Sequence, residues 1–203
     1  MLFSSLCSAQ DSLLLADNHH TIESSDSDIV KQLREKGIRF SHNNSVTLLM
    51  NGQEKFDDLF QAIRQAKKSV HLEYFNFRND SIAGLLFDLL AEKAKQGVKV
   101  RALYDGFGNS SNNKPLRKRH IKEIRANGIE IYEYKPVKFP WVHAIFNRDH
   151  RKIAVIDGRT GFVGGINIAE RYLDGDALGR WRDEHLRIEG EAVDDLQRLF
   201  AAD

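Results

Sequence analysis

The sequence predicts an α/β fold: a mixed, mostly parallel sheet flanked by helices on both faces. Three observations predict it. From Ser45 onward, short β-rich runs alternate with amphipathic stretches of helical period. The connections between them are short. Neither Pro-rich linkers nor internal repeats interrupt the alternation, so one layered domain accounts for it.

Taken in order, Ser45–Met50 (SVTLLM) is a strand closed by Asn51-Gly52, a turn signal. Phe56, Leu59, Phe60, Ile63 and Ala66 line one face of a helix over Lys55–Lys68. Ser69–Phe77 is the next strand. Asp80 or Ser81 caps a helix whose apolar face is Ile82, Leu85, Leu86, Leu89, Leu90 and Ala94, with Gly97 past its end. Val98–Tyr104 is a buried strand, Pro115 opens a helix that closes at Gly128, and Ile129–Tyr134 is a fourth strand. Lys152–Asp157 and Gly161–Gly165 are strands joined by Gly158-Arg159-Thr160. A helix from Asn167, a strand near Arg182–Ile188 and a helix from Glu191 follow. The chain stops at Asp203 inside a helical pattern, which reads as a piece cut from something longer.

Composition narrows the class. Hydrophobic residues make up 41% and charged residues 29% of 203, enough apolar material for a core and too much for a disordered chain. No apolar run approaches the roughly 18 residues of a membrane-spanning helix. Cys7 is the one cysteine, which excludes an internal disulfide and leaves no thiol set for structural zinc. The net charge of +1 hides a pattern: Lys114–Lys152 holds 11 Lys and Arg against four acids, whereas residues 1–30 hold five acids and no Lys or Arg. A basic middle third suits an anionic partner, though Leu116–Arg125 equally suits a solvated helix face.

The sequence divides at residue 44. Residues 1–44 read as a flexible segment with a short helix over Asp28–Lys36 ended by Gly37, and residues 45–203 as the folded domain. Cys7-Ser8-Ala9 fits a signal-peptide cleavage site, but no basic residue precedes it, so export stays open beside a disordered leader.

Chemistry concentrates between His150 and Asn167. His150-Arg151-Lys152-Ile153-Ala154-Val155-Ile156-Asp157 spells His-x-Lys-x4-Asp, and Gly164-Gly165-Ile166-Asn167 follows after six intervening residues. Residues two apart on a strand share a face, so His150 and Lys152 present an imidazole beside an ammonium. Asp157, an odd number of residues from His150, must act from the turn beyond. Gly164 and Gly165 let backbone approach closely, and Asn167 offers an amide at a helix start. Such a set suits a phosphodiester: the imidazole attacks phosphorus while lysine and amides offset charge on its oxygens, with no metal or other cofactor required.

This pattern resembles the signature of the phospholipase D superfamily. The segments His71–Arg78, Gly97–Gly106 and Trp181–Gly190 are similar to the bacterial cardiolipin synthase branch, so the likeness runs from about Ser45 to Leu199. The resemblance implies a phospholipase D-like half, here the first, and a phosphatidyltransferase that joins two phosphatidylglycerol molecules into cardiolipin with release of glycerol. Carried over, His150 is nucleophile or general acid, Lys152, Gly165 and Asn167 contact phosphate, and Asp157 positions a catalytic histidine. Glu73 and Asp183 match acidic positions of the branch. They equally suit a hydrogen bond within the core and an ion pair with Arg182 or Arg187.

The resemblance also implies partners: anionic phospholipid, a membrane surface at the bacterial inner membrane, and a second motif-bearing half or a homodimer partner. Members of the branch carry two motifs, each giving one histidine to a shared site, and this chain carries one. His143 and His185 are stand-ins without a lysine two residues on. Residues 134–150 interleave Lys135, Lys138 and Arg148 with Phe139, Trp141 and Phe146, which suits a membrane interface and equally a loop packed over the site. Hydrolysis of the lipid, a one-motif homodimeric nuclease, and membrane binding without turnover are the competing readings. The length of the resemblance disfavours nucleic acid.

Overall fold

A computed structural model describes residues 27–136, 146, 148–177 and 179–203. The leader before residue 27 and the aromatic stretch 137–145, with Lys138, Phe139, Trp141 and His143, lie outside the described residues. The chain forms two units, one through Ser41 and one from His42. In the first, helix α1 (27–35) ends at Gly37, whose φ of 78° lets the Ile38 amide return to the Leu33 carbonyl at 3.0 Å.

The second unit is a seven-stranded sheet. Its strands are β1 (Ser45–Leu49), β2 (Ser69–Tyr74), β3 (Lys99–Asp105), β4 (Glu130–Tyr134), β5 (Lys152–Ile156), β6 (Thr160–Gly164) and β7 (His185–Glu189), in the order β1-β7-β6-β5-β2-β3-β4. Its helices are α2 (Gly52–Gln65), α3 (Ser81–Lys95), α4 (Gly106–Ser110), α5 (Lys118–Ala126), α6 (Arg171–Asp174) and α7 (Ala192–Ala202).

The sheet is mixed, but antiparallel pairs predominate. Only β2–β3 and β3–β4 are parallel, while β1–β7, β7–β6, β6–β5 and β5–β2 are antiparallel. The reason is connection length. Helical crossovers follow β1, β2 and β3 and return the chain in the same direction, whereas the turn at Gly158-Arg159 is too short to do so.

The main core lies where Val70, Leu72 and Tyr74 of β2 meet Phe56, Leu59 and Ile63 of α2 and Leu86 and Leu90 of α3. On the opposite face, Ile153 and Val155 pack against Val193 of α7. β5 is thus buried on both faces, which holds the segment before it rigid.

Several boundaries differ from the sequence reading: α5 begins at Lys118 rather than Pro115, β2 ends at Tyr74 rather than Phe77, and β7 begins at His185 rather than Arg182. α2 begins at Gly52 because Asn51 is its N-cap: the Asn51 side chain accepts from the Glu54 amide at 3.0 Å, and the Glu54 carboxylate accepts from the Met50 amide at 2.8 Å. No helix starts at Asn167; the helical turn there begins only at Arg171. Between β3 and α5 the chain makes the short helix α4, which the sequence reading lacked.

Candidate active site

The parallel strands β2 and β3 and the start of β5 bring their ends to one edge of the sheet, and the motif lies there. Lys152 opens β5 opposite Tyr74. It is 3% exposed, and its Nζ donates to the His150 carbonyl at 2.5 Å. The ring of Phe75, the residue after β2, ties the two together: its centroid is 4.7 Å from the His150 ring, edge-on, and 5.4 Å from Lys152 Nζ.

The surroundings lower the proton affinity of both groups. Burial, then the charge of Lys152, lower the His150 pKa against the opposing pull of Asp149 and Asp105, so the imidazole is neutral at pH 7 with a lone pair free. Burial pulls Lys152 down to about 8, with Asp149 and Asp183 resisting, so it still carries its charge at neutral pH.

The glycine pair admits Asp183. A Cβ on Gly165 would overlap the Asp183 carboxylate, and one on Gly164 would come within 2.6 Å of His185. Asp183 itself accepts from the Glu184 amide at 2.8 Å, while Arg182 pairs with Glu184 and Arg187 with Glu189. Asn167 is 5% exposed, its Oδ1 accepting from the Asn76 amide and its Nδ2 donating to the Tyr172 hydroxyl, both at 3.3 Å. It ties the exit of β2 to α6 rather than opening a helix.

Glu73 points to the α7 face and ion-pairs with Arg151 Nε at 2.9 Å. Burial, then the hydrogen bond and charge of Asp149, push it up to about 8. The carboxylates of Glu73, Asp149 and Asp203 offer oxygens within 4.8 Å of one another, but Arg151 forms an ion pair with each of the three. A guanidinium already occupies the place a cation would take.

Asp157 is not brought to the histidine. It sits at the far end of β5, roughly 16 Å along the strand from Lys152 at the usual rise per residue. Its carboxylate accepts from the amides of Lys67, Lys68 and Ser69 at 2.8, 2.7 and 2.9 Å, and its φ is 54°. The expected role of positioning a histidine gives way to closing the α2–β2 connection onto the β5–β6 turn. Asp157→Asn therefore costs about 1–3 kcal/mol of stability, read from urea unfolding, with turnover per folded molecule unchanged. Burial works to raise the Asp157 pKa, but the three amides outweigh it and hold it low. A depressed folded pKa stabilises above the unfolded carboxylate value near pH 4 and loses that advantage as pH falls through the folded value. The stability gap is full above pH 5 and closes in strong acid.

Two buried bases lie behind Lys152. Tyr74, Lys152, Gly164 and His185 fall in one cross-strand row, so their side chains share the α2 face. His185 is fully buried, has no hydrogen bond at either ring nitrogen among the described residues, and is pushed down to about 2 by burial and the charges of Lys55 and Lys152. It stays neutral and cannot act as an acid. Lys55 of α2 is also fully buried; its Nζ has no hydrogen-bond partner among the described residues and lies 4.1 Å from the Phe56 ring and 4.8 Å from that of Tyr74. Burial drives its pKa well down. An amine held this way costs stability. Lys55→Met, close in shape and uncharged, raises stability by about 1–3 kcal/mol, measured as a higher urea midpoint at unchanged slope.

Sequence reading missed Phe75, Asp105, Asp149 and Arg151. Asp149 and Arg151 flank the histidine, and Asp105 is an acid just before a glycine at the end of a parallel strand, where sites of α/β sheets gather.

Comparison with known proteins bears on this arrangement. The profile of the family described as "Cardiolipin synthase, PLD-like domain" matches residues 59–202. The cardiolipin synthase of Alkalihalophilus pseudofirmus is 44% identical over 177 residues, covering 86% of this chain and 34% of the relative. That of Geobacillus sp. strain WCH70 is 46% identical over 158 residues, covering 77% and 31%. The chain thus spans about a third of the length of these relatives. Among solved structures, phosphatidylserine synthase of Haemophilus influenzae superposes with a TM-score of 0.62 at 18% identity, covering 77% of this chain and 36% of that one. NucT from Helicobacter pylori gives 0.59 at 17%, covering 79% and 95%. At these identities the structures share the fold, and the sequence matches carry the assignment: the chain belongs to the phospholipase D-like domain family of the cardiolipin synthases.

Proposed function

We propose that the chain is a catalytic half of a phosphatidyltransferase of the cardiolipin synthase type. The observation that carries this reading is the union of a neutral imidazole at His150 with the buried ammonium of Lys152 over Phe75, in a chain 44–46% identical to cardiolipin synthases.

In the first step the His150 imidazole attacks phosphorus of phosphatidylglycerol. A P–N bond forms, the P–O bond to glycerol breaks, and glycerol leaves with a proton from an acid on the opposite side. Lys152 offsets the charge gathering on the non-bridging oxygens. In the second step the group that gave up its proton takes one from a hydroxyl of another phosphatidylglycerol as that oxygen attacks phosphorus, the P–N bond breaks, and cardiolipin is released. Glycerol balances the reaction, and Gly165 and Asn167 line the phosphate side.

The partners of this reading are anionic phospholipid and a second motif-bearing half, in one longer chain or as a twofold copy. Among the described residues no helix is long and apolar enough to cross a membrane. We place the protein at the surface of the bacterial inner membrane, with the exposed Phe146 toward it.

The test is incubation of the protein, in its active assembly, with phosphatidylglycerol vesicles and separately with duplex DNA, followed by product analysis. Cardiolipin and glycerol in equal amounts support transfer. Phosphatidic acid alone makes the protein a hydrolase, and cut DNA without lipid turnover makes it a nuclease. The pH profile adds a check. Attack needs neutral His150 and charge offset needs protonated Lys152, so turnover rises below the ordinary histidine value near 6.5 and falls as pH passes about 8. A profile still climbing at pH 9.5 would remove Lys152 from this role.

A further inference from the structure

The residue at the end of β3 has four partners, and only two of them belong to its own neighbourhood. Asp105 is fully buried. Its Oδ1 accepts from the amides of Phe107 and Gly108, both at 2.9 Å, which caps α4. A cap needs no more than that. The same oxygen also meets Arg148 Nη1 at 3.3 Å, and Oδ2 accepts from the Asp149 amide at 3.0 Å. Both of these last partners lie immediately before His150.

The cap reaches the histidine by a second route. A Cβ on Gly108 would overlap the backbone carbonyl and ring of Phe75, so α4 is pressed directly onto the residue whose ring meets His150 edge-on. From one carboxylate, then, one path runs through the Asp149 amide to the backbone of His150. The other runs through Gly108 to the ring it packs on. Asp149 continues the first path, accepting from the Arg151 amide at 3.0 Å, so both neighbours of His150 are pinned.

We propose that Asp105 is a positioning residue for His150: its carboxylate fixes the backbone before the imidazole and the Phe75 ring beside it, and supplies part of the negative charge the imidazole faces. The reaction role of this contact rests on the reading of His150 as the reacting imidazole, but the contact itself does not. Asparagine cannot replace the carboxylate, because it has one acceptor oxygen and would turn an N–H toward either the α4 amides or the Asp149 amide.

The charged groups around the imidazole are Lys152 of β5, Asp149 and Arg151 beside it, Arg148 before them, Asp105 of β3, and Glu73 of β2 behind Asp149. Of these, Asp149 and Asp105 favour the protonated ring and Lys152 opposes it. Removing the Asp105 charge therefore lowers the proton affinity of His150, the opposite of what loosening it into solvent would do.

The experiment compares the unaltered protein with Asp105→Asn by nitrogen-15 NMR of the histidine rings, amide exchange, and phosphatidylglycerol turnover. The expected result for Asp105→Asn is a His150 titration midpoint lower by about half a pH unit. The Asp149 amide exchanges at least about tenfold faster, and kcat falls roughly 10- to 100-fold with KM within about threefold. A folded variant with the His150 midpoint and Asp149 exchange unchanged overturns the proposal and leaves Asp105 a helix cap. If Asp105→Asn does not fold, the unaltered protein decides: an Asp149 amide that exchanges as fast as an exposed one overturns the proposal, and a slow one upholds it. The NMR arms use no substrate. Absence of lipid turnover by the unaltered protein in the presence of a second motif-bearing half, with those arms as expected, would sink the phosphatidyltransferase reading and leave the positioning role standing.

Discussion

His150→Ala leaves the chain folded and lowers phosphatidylglycerol turnover by roughly four to six orders of magnitude, the loss expected when a nucleophile or its acid partner is removed. The fold survives because the His150 ring is exposed and its one aromatic contact is edge-on to Phe75. The backbone around it is held by Asp149 and Arg151, which the substitution does not touch. Lys152→Ala is nearly as damaging to turnover but behaves differently in stability. It empties a nearly buried volume beside Tyr74 while removing a desolvated charge, and these effects oppose each other. The measurement is single-turnover release of glycerol from labelled phosphatidylglycerol, with circular dichroism as the control for folding. Retention of a tenth of the wild-type rate by His150→Ala, with chemistry still rate-limiting, would place the reacting group elsewhere.

The elements were legible because periodicity is a local property: β5 reads as a strand from Lys152-Ile153-Ala154-Val155-Ile156, and α3 as a helix from the spacing of Ile82, Leu86 and Leu90. Strand direction is not local. Whether β6 returns antiparallel depends on the three residues Asp157, Gly158 and Arg159 between it and β5, and weighing that connection against the helical ones corrects the expectation of a mostly parallel sheet. Asn51-Gly52 suits a turn and a helix N-cap alike, and Glu54 three residues on was the deciding signal.

For the candidate site, the motif names His150 and Lys152 together because they are neighbours in sequence, and the structure sets both against the Phe75 ring. It misplaced Asp157, because Lys152 and Asp157 lie at opposite ends of β5 and the Asp157 carboxylate is consumed by three amides. Asp105 was beyond reach of pattern, since its partner amide lies 44 residues away. Of the two outlying acids, Glu73 takes Arg151 and Asp183 takes the place that Gly165 leaves open.

On the mechanism proposed above, turnover requires a second imidazole beyond those of the described residues. A displacement at phosphorus needs one group to attack and another, on the opposite side, to protonate the departing alkoxide. His150 cannot stand on both sides at once. His185 is buried, neutral and pushed down to about 2, so it has no proton to give at neutral pH. His71 points to the other face of the sheet, stacked 4.7 Å from the Phe200 ring and bonded to Gln197 at 2.9 Å. His120 is taken up in capping α5, and His42 is held by Glu191 just past the Glu189 end of β7, away from the His185 end that adjoins Lys152. The expected result is therefore that glycerol release per chain is negligible at high dilution and rises with concentration, or on addition of a polypeptide carrying a second His-x-Lys-x4-Asp motif. Mixing His150→Ala chains with unaltered ones discriminates further. If two His150 rings share one site, an excess of the variant suppresses the unaltered protein by sequestering it in half-armed pairs. If the second imidazole comes from a different polypeptide, the variant competes for that partner instead, and adding more partner relieves the suppression. Sizing by light scattering at each concentration identifies the active species. Full turnover by a demonstrably monomeric 203-residue chain in which His19, His20 and His143 are replaced by alanine would overturn the two-imidazole mechanism.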